Sequence, residues 1–286
     1  MRSIKQPGVG PSERVQWTEA KGLQVSAHLE PGLPLLDAVQ SVFAAQGLTS
    51  GVLRLKGGAI APFAYVIPAL PETPRHAAYY SATLRPPGLS RIRTGALTFG
   101  HRDGMPFFHC HAFWTDADGV LRGGHVMPEE TFVAEPIQVI GIGLDGAAYK
   151  AEPDPETNFT LFGPVSEAAL GLAGERRVFA LRLRPNQDLS QALEAFCREQ
   201  KISRALLHGG VGSTIGARYE DGRAVDAFAT EMAIHSGRIA PGEWGEPEAE
   251  LDIALVDYTG AVSEGRLTRG DNPVLMTVEV ALEVSS

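Results

Sequence analysis

Three of the chain's eight histidines sit close together, in the stretches His109-Cys110-His111 and Gly123-Gly124-His125. Phe107 to Trp114 reads as a β-strand. Side chains two apart in a strand share a face, about 6.6 Å from each other. His109 and His111 therefore point one way and Cys110 the other. Asp116-Ala117-Asp118-Gly119 follows as turn chemistry, then the return run Val120-Leu121-Arg122. A three-residue loop of Ala117, Asp118 and Gly119, with glycine in the left-handed position, is a favoured hairpin connection. It pairs Thr115 with Leu121 and sets His111 opposite His125, so all three imidazoles converge. A two-residue loop sets His125 opposite Cys110, on the wrong face. A bulge at Gly123-Gly124 is another route to the required register. The two glycines also leave room for a closely approaching chain or ligand.

Three neutral imidazoles suit a divalent metal, zinc first, with iron, nickel or copper as alternatives. Three protein ligands leave a fourth position for water or substrate, the pattern of a catalytic or ligand-binding metal. A lone strand histidine is ordinarily a satisfied polar residue, and a pair at i and i+2 is often coincidence. Convergence of three through one hairpin sets this cluster apart. Glu135 is the candidate general acid or base near such a metal, set against the common fate of a carboxylate, exposed or salt-bridged. Asp116-x-Asp118-Gly119 has part of a calcium loop, but Trp114 and His125 stand where its first and twelfth ligands belong. The run His208-Gly209-Gly210-Val211-Gly212-Ser213 leads into Ile215-Gly216-Ala217-Arg218-Tyr219, which is not helical in pattern. A phosphate cradle needs a helix N-terminus, so a tight turn is expected there. No Ser/His/Asp or Cys/His pair has a spacing that supports nucleophilic catalysis.

The elements that must hold these residues recur along the chain. The segment starting at Ser26 and the one starting at Ala180 share an order: a short strand ending in Leu-x-Pro, a helix, a β-rich run and a Gly-Gly pair, Gly57-Gly58 or Gly209-Gly210. Leu35, Val39, Val42 and Phe43 fall on one helical face that Gly47 ends; Leu189, Ala192, Leu193 and Phe196 form the other. Asp188 is the expected N-cap, with Gln191 three residues on. Further along, Asp116, Gly119 and Gly124 match Asp257, Gly260 and Gly265. On that register Glu250, Asp252 and Arg266 replace His109, His111 and His125. The expectation is one metal per chain and two repeated α+β domains, each a mostly antiparallel sheet with one main helix. The expected divisions are an N-terminal arm over 1–20, poorly ordered; a first domain with the His site over 21–163; a linker over 164–173; and a second domain without the site over 174–286.

The bulk composition narrows the function classes. The 286 residues are 44% hydrophobic and 21% charged, with a formal charge of −9, and the pI is near 5.4. Dedicated nucleic-acid binders are usually basic, because phosphate neutralisation drives their affinity. The two cysteines, Cys110 and Cys197, form no disulfide framework. The N-terminus carries no apolar signal region and no stretch reaches about 18 apolar residues, so a cytoplasmic, soluble protein is expected.

His109-x-His111, Asp116-x-Asp118-Gly119 and Gly123-Gly124-His125 together resemble the signature of bacterial PPC domains, the domain shared by plants and prokaryotes. Pro136-Ile137-Gln138-Val139-Ile140 and Ala147-Ala148-Tyr149-Lys150 look like the closing strand of the plant AT-hook members, and Asp154 to Phe159 resembles the bacterial tail. The resemblance covers most of 25–163 and is fainter in the second half, where the Gly-Gly pair and the Asp257 to Gly265 hairpin carry it. It implies one helix against a largely antiparallel sheet, homotrimeric or other self-association, and metal ligation by the three histidines. In the plant members the AT-hook contacts DNA, and no Arg-Gly-Arg-Pro core occurs here. The family's Phe-Glu-Ile-Leu segment is replaced by Arg93 to Phe99, so no role is carried over for it. Two functions follow: a metal-binding protein that acts on or senses a small molecule, or an oligomeric, DNA-associated regulator.

Overall fold

A computed structural model describes residues 1–172, 174 and 176–285. The first half contains β1 (Val15–Leu29), α1 (Leu35–Ala44), β2 (Gly51–Lys56) and β3 (Ala59–Ile60). An excursion then carries β4 (Tyr65–Val66), β5 (Pro68–Ala69) and β6 (Tyr79–Tyr80). There follow β7 (Ser90–Arg102), β8 (Met105–Thr115), β9 (Leu121–Val126), β10 (Val133–Glu135), β11 (Ile137–Asp145), β12 (Ala147–Pro153) and β13 (Thr160–Ser166). The second half contains β14 (Arg176–Leu183), α2 (Leu189–Glu199), β15 (Ala205–Arg218), β16 (Ala224–Pro241), β17 (Pro247–Asp257), β18 (Val262–Arg266) and β19 (Val274–Val284).

The strand pairings show the duplication directly. In the first half the antiparallel order is β1-β11-β2-β7-β8-β9. In the second it is β14-β19-β15-β16-β17-β18. These are the same order, position for position, with one helix after the first strand of each. The fold is α+β, two copies of a largely antiparallel sheet with one main helix.

Each helix forms where its sequence pattern places it. Leu35, Ala38, Val39 and Phe43 of α1 are buried against Leu53, Leu97, Phe108 and Cys110 of the first sheet. In α2, Leu189, Ala192, Leu193 and Phe196 pack on Leu181, Leu207, Leu251 and Ile253. The Asp188 carboxylate accepts from Gln191 N at 2.9 Å, satisfying one of the amides that a helix start leaves free. The sheet faces away from the helices meet each other. Ala96 and Phe113 of one copy lie against Val211, Ala233, Ala254 and Val256 of the other. The result is a helix, two facing sheets and a second helix.

Three expectations are corrected. The strand β1 starts at Val15, inside the expected arm, because its first part pairs with β14 and its second part with β11. The arm before it is packed: Gln6 donates to Leu275 O at 2.7 Å and Gly8 N to Glu156 O at 2.9 Å. The expected linker begins inside β13, which runs on to Ser166. Finally, Gly209-Gly210 makes a bulge in β15, not a tight turn. Both glycines have positive φ, and the pairing with β19 slips between His208 and Val211. Two such residues kink a strand without ending it.

Candidate metal centre

The hairpin that carries the histidines has the register its loop demands. Thr115 pairs with Leu121 and His111 with His125. The turn closes through Asp116 N to Val120 O at 3.0 Å and Gly119 N to Asp116 O at 2.9 Å, with Gly119 at φ +81°. Cys110 points into the core under α1, where burial pushes its thiol pKa up. Gly124 is required by close approach: a Cβ there would lie 2.5 Å from Val66 O in β4, which pairs with β9 across His125.

His109, His111 and His125 each offer a ring nitrogen, and these atoms all lie within 4.8 Å of one another. His109 Nε2 is 3.2 Å from His111 Nε2, and His125 Nδ1 is 3.4 Å from His111 Nε2. The far side of two rings is anchored by acceptors from the second copy. His109 Nδ1 donates to Glu279 Oε2 at 2.7 Å, and His111 Nδ1 donates to Met232 O at 3.0 Å. A carboxylate oxygen and a carbonyl oxygen both accept, so neutral rings carry their hydrogens on Nδ1 and turn lone pairs toward each other. Lone pairs that close repel unless a cation sits between them. A tetrahedral zinc with Zn–N bonds of about 2.05 Å needs N–N edges of about 3.3 Å. The two measured separations bracket that value, so the donor set fits a metal.

A proton is poorly suited to fill the gap. Burial, then the charges of His109 and His125, hold the His111 pKa well below its ordinary value. Burial, then His109, pushes His125 down to about 3. Glu231 of β16 also approaches His111. Its Oε1 is 3.8 Å from His111 Nε2, and its Oε2 has no hydrogen-bond partner. Burial raises its pKa well above the carboxylate range. Tyr80, on the β5–β6 ribbon of the excursion, stands over the cluster with its ring 5.6 Å from that of His125.

Glu135 does not join the cluster. It forms a two-pronged ion pair with Arg91, with one contact at 3.0 Å, on the exposed outside of the sheet. The carboxylates that do approach, Glu231 and Glu279, are far from the hairpin in sequence. Each sits beside a short apolar run, as in Glu231-Met232-Ala233-Ile234 and Glu279-Val280-Ala281-Leu282, and that setting is the signal that marks them. In the second copy the matching hairpin pairs Asp252 with Arg266. There Arg266 bridges Asp252 and Glu250 at 2.9–3.0 Å, so an ion-pair ladder stands where the imidazoles stand in the first.

Residues 172–285 match the model of the Plants and Prokaryotes Conserved (PCC) domain, and they make up the second copy of the repeat. The PCC match falls on the half that lacks the histidines, where the motif resemblance is the fainter, and the first copy has the same strand order as that half. A search of curated proteins finds no match. Among solved structures, a PPC protein of Pyrococcus horikoshii is similar at 14% identity and TM-score 0.39, covering 53% of this chain and 96% of its own. A metal-containing protein of Archaeoglobus fulgidus matches at 18% identity and TM-score 0.39, covering 57% of this chain and 99% of its own. A Bacteroides thetaiotaomicron protein, whose DNA-binding role is provisional in its description, matches at 12% identity and TM-score 0.36, covering 52% of this chain and 97% of its own.

Proposed function

We propose that the first copy is a diverged PCC domain that binds one divalent metal ion, zinc by preference, through His109, His111 and His125, and that the protein acts on or senses a small molecule there. The observation that carries this is the pair of Nε2 atoms 3.2 Å apart, each backed by an acceptor on Nδ1. A divalent ion at that point supplies Lewis acidity, polarising a carbonyl or lowering the pKa of bound water. The protein's own groups set the conditions. Glu279 and Met232 fix ring orientation, as outer partners of metal-bound histidines generally do. Glu231, whose burial raises its pKa, stands 3.8 Å from His111 Nε2. Tyr80 limits the access of water.

Elemental analysis of purified full-length protein tests this. About one metal per chain is expected in the wild type, and close to none in His111→Ala. A wild type that stays metal-free after incubation with zinc, or a variant that keeps its metal, overturns the reading. The alternative of a DNA-associated regulator meets a net charge of −9, which opposes phosphate binding.

A further inference from the structure

Two chambers that share Tyr79, Tyr80, His109 and Phe159 in their linings flank the histidines. The inner one, of about 50 Å³, lies between His109, His111, Tyr80 and Glu231. The outer one, of about 380 Å³, reaches from His109 and His125 to Arg102 at the far rim. The outer volume is within the range of small-molecule sites, whereas the inner one holds a few waters at most. Five aromatic rings line its wall: Tyr79, Tyr80, Phe107, Phe159 and Phe162. These rings already pack edge-on or offset against one another, with Tyr80 and Phe159 centroids 5.6 Å apart and Phe107 and Phe162 6.1 Å apart.

The charge of the outer chamber is opposite to that of the chain. Among the described residues its lining has Arg102 and three histidines but no Asp or Glu, in a protein of net charge −9. The Arg102 guanidinium lies 5.3 Å from the centre of the Phe107 ring, which steadies its stem. Its ion-pair partner is Asp103, at 3.9 Å and almost wholly exposed, too loose to occupy the planar fork. Arg102 ends β7 at a two-residue turn, Asp103-Gly104, with both residues at positive φ, so its place at the rim is set by a hairpin.

We infer that the outer chamber binds a small, flat organic carboxylate, its carboxylate on Arg102, its planar body against the Tyr80 and Phe159 rings, and its other end toward His109 and His125. This rests on the proposed function only for what that far end meets. The excursion that supplies Tyr79 and Tyr80 exists in the first copy alone; at the matching place in the second, β15 turns directly into β16. The ring wall is thus present only in the copy that has the histidines.

The test uses benzoate as probe, with benzamide and acetate as its neutral and non-aromatic counterparts. Binding is read by calorimetry on the full chain, zinc-loaded and chelator-treated, with metal content measured on the same samples. Benzoate is expected to bind saturably and about tenfold more tightly than either counterpart, because the carboxylate pairs with Arg102 and the ring with the wall. Arg102→Gln, at an exposed rim position, is expected to remove the preference over benzamide while leaving thermal stability unchanged. No saturable benzoate binding, equal affinity for benzamide or acetate, or an unchanged Arg102→Gln variant overturns the inference. Zinc uptake without benzoate binding defeats this inference and leaves the metal reading standing. Arg102-dependent benzoate binding in a chain that takes no zinc does the reverse.

Discussion

Two imidazoles held neutral inside a protein, His111 and His125, make its stability depend on acid. His111 and His125 both have folded-state pKa values below the ordinary 6.5, His125 near 3. Below pH 6.5 the unfolded chain takes up protons that the folded chain refuses. The stability these groups contribute is therefore whole above pH 6.5 and is lost as pH falls toward 3, by at most about 1.4 kcal/mol per pH unit for each group. Chelator-treated protein is expected to lose melting temperature steadily from pH 7 to 4, with His125→Gln flattening the slope; parallel curves would refute this. Bound metal is expected to leave in the same window, since protons compete for the same nitrogens. Glu231 has the opposite sign. Its raised pKa stabilises the fold below the carboxylate range and costs stability as pH climbs through the folded value. The histidines were legible because their spacing is local to one hairpin. Glu231 and Glu279 were not, since which distant strand faces the hairpin depends on packing between the copies. Glu135 has the salt-bridged fate that was set against its candidacy, with its Arg91 partner across β3 and β7.

The hairpin β8–β9 turns loop length into chemistry. Strand side chains alternate strictly, so one residue fewer in the 117–119 loop slips the register and sends His125 to the face of Cys110. Deletion of Asp118 is expected to abolish metal binding while the chain still unfolds cooperatively. Retained metal would show that the ring reaches the site without the register. The loop was readable because turn type follows from Asp116 and Gly119 themselves. The cap at Asp188 was readable likewise, from two residues three apart. Gly209-Gly210 misled because a glycine pair looks the same before a turn and inside a bulged strand; the difference lies in β19, which continues alongside.

The whole molecule is one assembly of two repeats, and the second copy contributes to a site it does not itself contain. Internal similarity announced the repetition, and the common strand order bears it out. How the copies meet was not legible, because facing-sheet contacts such as Phe113 against Ala254 join residues more than a hundred positions apart. The tie with the widest consequence is β1, whose residues Val15 to Gly22 pair with β14 while Lys21 to Leu29 pair with β11. A ribosome delivers the chain in order. At roughly 5–20 residues per second, β14 emerges on the order of ten seconds after β1. Through that interval the front half of β1 is a bare edge, offering its amides and carbonyls, and Trp17 beside them, to any neighbouring nascent chain. Chains stalled at residue 166 are expected to be cut by protease within 15–22, and chains stalled after the second copy has cleared the exit tunnel to resist. Equal cleavage of both would mean that something else shelters the strand. Translation speed across the first copy thus becomes a determinant of yield, a pressure acting on codons as well as on side chains.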